Sequence, residues 1–280
     1  AFNLVNFSNH LLIEQLFSPR IVTMDISNNL KKKLLDTAGK PAVGSWFMSG
    51  SAHLAEAYGL CGFDFLVVDM EHAPIDISDA ANILRSIDTT PSEAALRVPW
   101  NDRVYIKRAL DAGAQTLVVP FVETVEEAKA AVAASRYPRA GLRGVAAIHR
   151  ASRFGTVPNY LKIANEQICL ILQLETAEAI ERIEDISAVD GVDVIFIGPA
   201  DLAANMGYLG EVGSPEVQAK IKEAAERAKR IGIPAGALAP SPEMAKQFFD
   251  YGFTYMAMGT DLSNAMASAR STLKKLNELF

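Results

Sequence analysis

From residue 41 onward the chain alternates eight short apolar runs with amphipathic segments, and that rhythm limits the fold more than any other feature. The runs are Ala42–Phe47, Phe65–Asp69, Ala94–Val98, Thr116–Pro120, Cys169–Glu175, Val194–Gly198, Ala235–Leu238 and Tyr255–Gly259. They are rich in Val, Ile, Leu and Phe and show little polar alternation, as parallel strands covered on both faces do. Between them, Ile77–Ile87, Arg103–Ala112, Thr124–Ser135, Thr176–Ile186, Pro215–Ile231 and Pro242–Tyr251 carry apolar residues three and four apart, the helical spacing. Thr124 followed by Glu127 is a capping-box pattern, and Ser214-Pro215 puts proline at a first helical position. Gly113, Gly232 and Gly252 stand where C-terminal glycine caps belong.

Eight strands alternating with helices predict a closed (β/α)8 barrel. The competing architecture, an open doubly wound sheet, calls for a glycine-rich turn after its first strand. Trp46-Phe47-Met48-Ser49-Gly50 is not such a fingerprint. The length of 280 residues suits one barrel. One connection, residues 136–167, is long enough to suggest a task of its own. Residues 24–280 are read as a single barrel domain, with an amphipathic helix opening near Met24. Residues 1–23 lack a basic start and a clear cleavage site, so they are set aside as an extension outside the core.

A net charge of −6 disfavours a nucleic-acid footprint and attraction to an anionic membrane. No apolar run reaches the roughly 18 residues of a membrane span. The two cysteines, Cys61 and Cys169, lie in apolar stretches and are expected to be buried and unpaired, which fits a reducing cytoplasm.

In a barrel, function collects at the C-terminal ends of the strands. There the sequence places Asp69-Met70-Glu71-His72, Arg97, Gln173-Leu174-Glu175, Gly198-Pro199-Ala200-Asp201 and Leu238-Ala239-Pro240. Charged groups ending apolar strands are costly unless paired or bound. Glu175 and Asp201 come from neighbouring strands and suit Mg²⁺ or Mn²⁺, although each also sits where an acid caps a helix. Arg97 is either an anion clamp or half of a salt bridge. His72, three residues after Asp69, is either a proton-transfer group whose tautomer Asp69 sets or a structural histidine. Backbone N–H groups at Ala200 and Asp201 open a helix and favour a carboxylate. Gly141-Leu142-Arg143-Gly144 is a basic turn that either touches a substrate anion or is solvated, and His149 lies in the same connection. No lysine falls on a predicted strand, which points away from imine chemistry and towards a metal as electron sink.

The stretches Gly62-Phe63-Asp64-Phe65 to Asp69-Met70-Glu71-His72-Ala73-Pro74, Ile106-Lys107-Arg108 to Leu110-Asp111-Ala112-Gly113, Ser135-Arg136-Tyr137-Pro138, Gly141-Leu142-Arg143-Gly144-Val145, Gln173-Leu174-Glu175 and Phe196-Ile197-Gly198-Pro199-Ala200-Asp201-Leu202 occur in one order over nearly the whole core. In them the chain resembles the HpcH/HpaI aldolase family, and within it the 2-dehydro-3-deoxyglucarate aldolases. Phe121-Val122-Glu123-Thr124, His149-Arg150-Ala151 and Leu238-Ala239-Pro240 carry that narrower likeness. The resemblance implies a TIM barrel of the phosphoenolpyruvate/pyruvate type. It implies metal ligation by Glu175 and Asp201, with Mg²⁺, Mn²⁺ or Co²⁺ as cofactor. It further implies that Arg97 stabilises a pyruvate enolate, that Gln173, Ala200, Asp201 and Leu238 receive the substrate, and that His72 moves protons with Asp69 behind it. Asp111 of a neighbouring subunit would assist His72. A hexamer, a trimer of dimers exchanging the C-terminal helix Asp261–Leu279, is also implied. Met70 stands where the family usually has glycine, so the aldehyde side of the pocket is expected to differ.

The expected activity is metal-dependent cleavage or formation of 4-hydroxy-2-keto acids, giving pyruvate and an aldehyde. 2-Dehydro-3-deoxyglucarate is the leading candidate substrate and 4-hydroxy-2-oxoheptanedioate the next. Two rivals stand beside it. A lyase of the citrate lyase beta or malyl-CoA type could use the same acids, but it needs a basic site for CoA phosphates that the sequence does not offer. A non-catalytic scaffold would bind no divalent ion, which calorimetry would reveal.

Overall fold

In the computed structural model, which describes residues 26–280, eight parallel strands close into a barrel in sequence order. They are β1 (Ala42–Phe47), β2 (Phe65–Asp69), β3 (Glu93–Arg97), β4 (Thr116–Val119), β5 (Cys169–Leu174), β6 (Val194–Ile197), β7 (Ala235–Ala239) and β8 (Tyr255–Thr260). β8 pairs with β1, so no edge is left open and the doubly wound alternative is excluded. The N-terminal extension and Met24 lie outside the described residues. The first described helix begins at Asn29, its N-terminus capped by the Asn28 side chain on the Lys31 amide.

The strands are apolar on both sides because they separate two cores. Alternate residues such as Leu66, Val68, Leu96, Leu170, Leu172, Ile195 and Ile197 pack outward against the helices. Their neighbours Phe65, Val67, Ala95, Cys169, Ile171, Val194, Phe196 and Tyr255 fill the barrel. Leu30 and Leu34 of the helix Asn29–Leu35 join this inner core. Inside the barrel the Tyr255 hydroxyl donates to the Ile195 carbonyl at 2.9 Å. Gly236 makes room for that ring, since a Cβ there would sit 2.5 Å from a ring carbon.

Helices Ile77–Ile87, Pro215–Ile231 and Pro242–Tyr251 have the bounds their periodicity predicts. Thr124 caps its helix in a capping box with Glu127. The expected helix Thr176–Ile186 is instead two short ones, Ala177–Glu181 and Ile183–Ser187, broken at Arg182, whose backbone leaves the helical region. The long connection contains a 3-10 segment, Arg150–Gly155, and the helix Tyr160–Gln167. Cys169 is buried as expected, but Cys61 is exposed at the turn after the helix Ala52–Gly59, where the chain has already left the core.

At the mouth, Asp261 ties the closing strands together. Its buried carboxylate accepts the amides of Met48 at 2.8 Å and Ser49 at 3.0 Å. It also opens the helix Asp261–Asn277, where it is the one buried residue; Leu262, Met266, Leu273 and Leu276 are exposed.

Candidate active site

Strand alternation decides which side chains enter the mouth. Val67 points into the barrel, so Asp69 does too, and Met70 turns outward into the shell between strands and helices. Met70 therefore packs with the outer core and is not among the residues lining the cavity, which corrects the expectation that it reshapes the aldehyde side.

Asp69 and Arg97 are register partners on β2 and β3. Arg97 donates from Nε at 2.9 Å and from Nη2 at 2.7 Å to the two Asp69 oxygens, a bidentate fork buried at the end of both strands. Burial raises the Asp69 carboxyl, but the Arg97 hydrogen bonds and charge outweigh it and hold the group below the usual carboxylate range. Asp69 also accepts the backbone amides of Glu71 at 3.0 Å and His72 at 3.4 Å. The expected bond from Asp69 to the His72 imidazole is not formed, because the carboxylate is committed to Arg97 and those amides. The side chain near the imidazole is Glu71, whose Oε2 stands 3.9 Å from His72 Nε2 and 2.7 Å from Arg97 Nη1. The guanidinium carbon of Arg97 lies 4.9 Å from the centre of the Trp46 ring.

On the other wall, β5 sends Gln173 and Glu175 inward by the same alternation. Gln173 Nε2 donates to Glu175 Oε2 at 2.6 Å, and the Phe121 amide donates to Oε1 at 2.8 Å. Phe121 reaches that position with φ of 50°, in the left-handed region that non-glycine residues rarely occupy. Gly198 allows the close approach of β6: a Cβ there would fall 2.5 Å from Glu175 Oε2. Burial pushes the Glu175 carboxyl up to about 8, and the charges of Asp201 and Glu71 add to the rise. Asp201 is half-buried in the first turn of the helix Pro199–Asn205, whose N-terminus has no side-chain cap.

These groups surround a cavity of about 560 Å³ at the C-terminal ends of the strands. Asp69, His72, Arg97, Gln173, Ala200, Asp201 and Leu238 all line it, with Trp46, Phe196, Val212 and Pro240 supplying apolar wall. Glu175 lies behind Gln173 and is felt electrostatically by Asp201 and Glu71. Asp111 is elsewhere. It ends the helix Arg103–Asp111 at the opposite end of the barrel, 2.7 Å from Arg143 and 3.7 Å from His149 Nε2. Arg143, expected as a flexible basic turn, is fully buried and stacks 4.3 Å from the Tyr137 ring centre.

Among the described residues no group of three or more His, Cys, Asp or Glu side chains is placed to hold a metal alone. The mouth offers instead two acids on adjoining elements, one of which, Glu175, burial keeps largely protonated at neutral pH, with its acidic neighbours adding to the effect. Mg²⁺ and Mn²⁺ sites of that type are completed by substrate oxygens and water. The buried Oε1 of Gln173, without a hydrogen-bond partner, is a further acceptor. The donor set therefore fits a hard divalent cation.

Residues 42–268 match the model of the HpcH/HpaI aldolase/citrate lyase family. The chain is 45% identical to a 2-dehydro-3,6-dideoxy-6-sulfogluconate aldolase of Pseudomonas putida, over 84% of this chain and 92% of that protein. It is 44% identical to a 5-keto-4-deoxy-D-glucarate aldolase of Enterobacter sp. (strain 638), over 91% of this chain and 98% of that protein. The fold matches the crystal structure of an HpcH/HpaI aldolase/citrate lyase family protein from Burkholderia cenocepacia J2315 with a TM-score of 0.87 at 40% identity, covering 90% of this chain and all of that one.

Proposed function

Because this chain belongs to the HpcH/HpaI aldolase/citrate lyase family, we propose that the mouth of its barrel is the active site of a divalent-metal-dependent aldolase. The chain is a carbon–carbon lyase, and the reaction proposed is cleavage or formation of 4-hydroxy-2-keto acids, with pyruvate on one side and an aldehyde on the other. One observation carries the reading. Among the described residues of the mouth, the carboxyl groups of Asp69, Glu71, Glu175 and Asp201 outnumber the guanidinium of Arg97, and Glu175 is pushed up to about 8, so a cation bound there would take the place of its proton.

Glu175 and Asp201 would hold Mg²⁺, Mn²⁺ or Co²⁺. When bound there, a divalent ion supplies Lewis-acid stabilisation of the negative charge that carbon–carbon cleavage leaves on pyruvate. Arg97, held along one edge by Asp69, would present its remaining N–H groups to the keto oxygen of the substrate. Gln173 orients the keto acid from the β5 wall, and the uncapped amides of Ala200 and Asp201 receive its carboxylate. His72, exposed into the cavity, takes the proton of the 4-hydroxyl as the C3–C4 bond breaks. Leu238 and Val212 bound the aldehyde side. 2-Dehydro-3-deoxyglucarate is the substrate we favour, followed by 4-hydroxy-2-oxoheptanedioate. In the hexamer proposed here, Asp111 would act on His72 from a neighbouring copy, since its own His72 lies at the other end of the barrel. The exposed apolar residues of the helix Asp261–Asn277 support exchange of that helix between copies.

Purified protein with Mn²⁺ should release pyruvate from at least one of a panel of 4-hydroxy-2-keto acids, and EDTA should abolish the release. No pyruvate from any member would end the reading. Apart from Arg97, no Lys or Arg is among the described residues lining the cavity, which argues against a CoA thioester. Turnover of malyl-CoA would reverse that judgement.

A further inference from the structure

Glu71 stands between the two groups that the proposed chemistry needs most. Its side chain is 8% exposed, and a single oxygen, Oε2, meets both Arg97 Nη1 at 2.7 Å and His72 Nε2 at 3.9 Å. The contact with Arg97 is a close ion pair rather than an aligned hydrogen bond, which leaves the Nη1 protons available to another acceptor. Asp69 already holds the other edge of the guanidinium through Nε and Nη2. An arginine has five N–H donors, so two anchored at one edge still permit pivoting about that edge. A carboxylate at the opposite corner removes this freedom. The same oxygen, itself buried, gives an imidazole that has taken up a proton a negative partner, an attraction that water screens in part because the His72 side chain is 55% exposed.

We propose that Glu71 is a positioning residue whose charge ties Arg97 to His72 and fixes the spacing between the group that steadies the enolate and the group that carries the proton. The inference rests on the aldolase reading of this cavity. Its sequence signal is its place two residues beyond Asp69, in the turn that follows β2 at the mouth of the barrel.

The test uses the full chain loaded with Mn²⁺. Wild-type protein must first exchange the methyl protons of pyruvate with deuterated water; absence of exchange and of pyruvate release would defeat the aldolase reading, not this one. Glu71→Gln keeps the shape and an oxygen acceptor but removes the charge. It should lower kcat by about tenfold or more while KM for pyruvate stays within about threefold, because the loss falls on the transition state. Affinity for oxalate, a planar mimic of the enolate, should fall about tenfold by calorimetry on the same scale of misplacement. Glu71→Asp, which retains the charge, should recover part of both losses. Wild-type kcat and oxalate affinity in Glu71→Gln would overturn the proposal. So would loss of Mn²⁺ binding in that variant, which would put Glu71 in the metal site, and so would failure of Glu71→Asp to recover more than Glu71→Gln.

Discussion

The two ends of this barrel both bury arginines among acids, yet they are built for different ends. At the N-terminal ends of the strands, Arg143 is paired with Asp111 and stacked on Tyr137, and Arg150 binds the Ala112 carbonyl at 3.0 Å and the Asp88 carboxylate. Burial pushes the Tyr137 hydroxyl up to about 12 and lowers the His149 imidazole, so neither carries charge near neutral pH. The cavity there is about 190 Å³. At the C-terminal ends the cavity is about 560 Å³, and Glu175 is pushed up to about 8 by burial and by acidic neighbours. Cation and anion satisfy each other at the closed end. At the open end there is a surplus of carboxyl groups over the one guanidinium, and burial drives Glu175 towards its protonated form, which a bound cation would reverse.

The largest expected effect follows from removing that surplus. Glu175→Ala or Asp201→Ala should cut pyruvate release by roughly 10³-fold, the order of losing a pre-organised electrostatic group, and should abolish calorimetric Mn²⁺ binding. Retained turnover in either variant would show that the two ends do not differ in the way argued. At the closed end, Arg150→Met should act on stability. It leaves the Ala112 carbonyl without this donor and Asp88 with only the longer Arg153 contact at 3.5 Å, and denaturant unfolding should show a loss of about 1–3 kcal/mol. The kcat of the folded fraction should fall far less than in Asp201→Ala, because Arg150 meets the proposed chemistry only through the Ala112 carbonyl beside Asp111. A kcat loss matching that of Asp201→Ala would break the contrast.

The smallest effect is a pH trend. Glu175 has a folded value near 8 against an ordinary value of 4.5, so between these limits the folded protein holds a proton that the unfolded chain has lost. Its contribution is full below about 4.5 and is lost as pH rises towards 8. Metal-free protein should therefore lose stability from this group across that window. A cation that displaces the proton binds more tightly as pH rises. The Tm difference between Mn²⁺-loaded and metal-free protein should widen from pH 5 to 8 and level off above it. A gap that narrows would place the proton on another group.

Much of the fold was legible because its signals are local. β1 and β2 and the helices Ile77–Ile87, Pro215–Ile231 and Pro242–Tyr251 follow from runs of apolar residues, helical spacing and caps within a few residues of each end. Ten of the cavity-lining positions were also readable, since barrel geometry sends strand ends to one mouth. Pairings across strands were not. Asp69 precedes His72 by three residues and reads as its partner, but register sets it against Arg97. Glu71 and Met70 lie just past the end of β2, where strand alternation no longer sorts them. Nothing local announces that Phe121 would take a left-handed backbone to reach Glu175, or that Arg143 in a glycine-flanked turn would be buried completely.

By itself, then, the amino-acid order determined the rhythm of the barrel and which residues stand at strand ends, because periodicity and capping act over distances of a few residues. The tertiary structure alone decided who faces whom: Asp69 on Arg97, Glu71 between Arg97 and His72, and Glu175 crowded by Asp201. Apart from Glu71 and its neighbour His72, these relations join residues on or just past different strands, and their energies depend on burial and register that exist only once the barrel has closed.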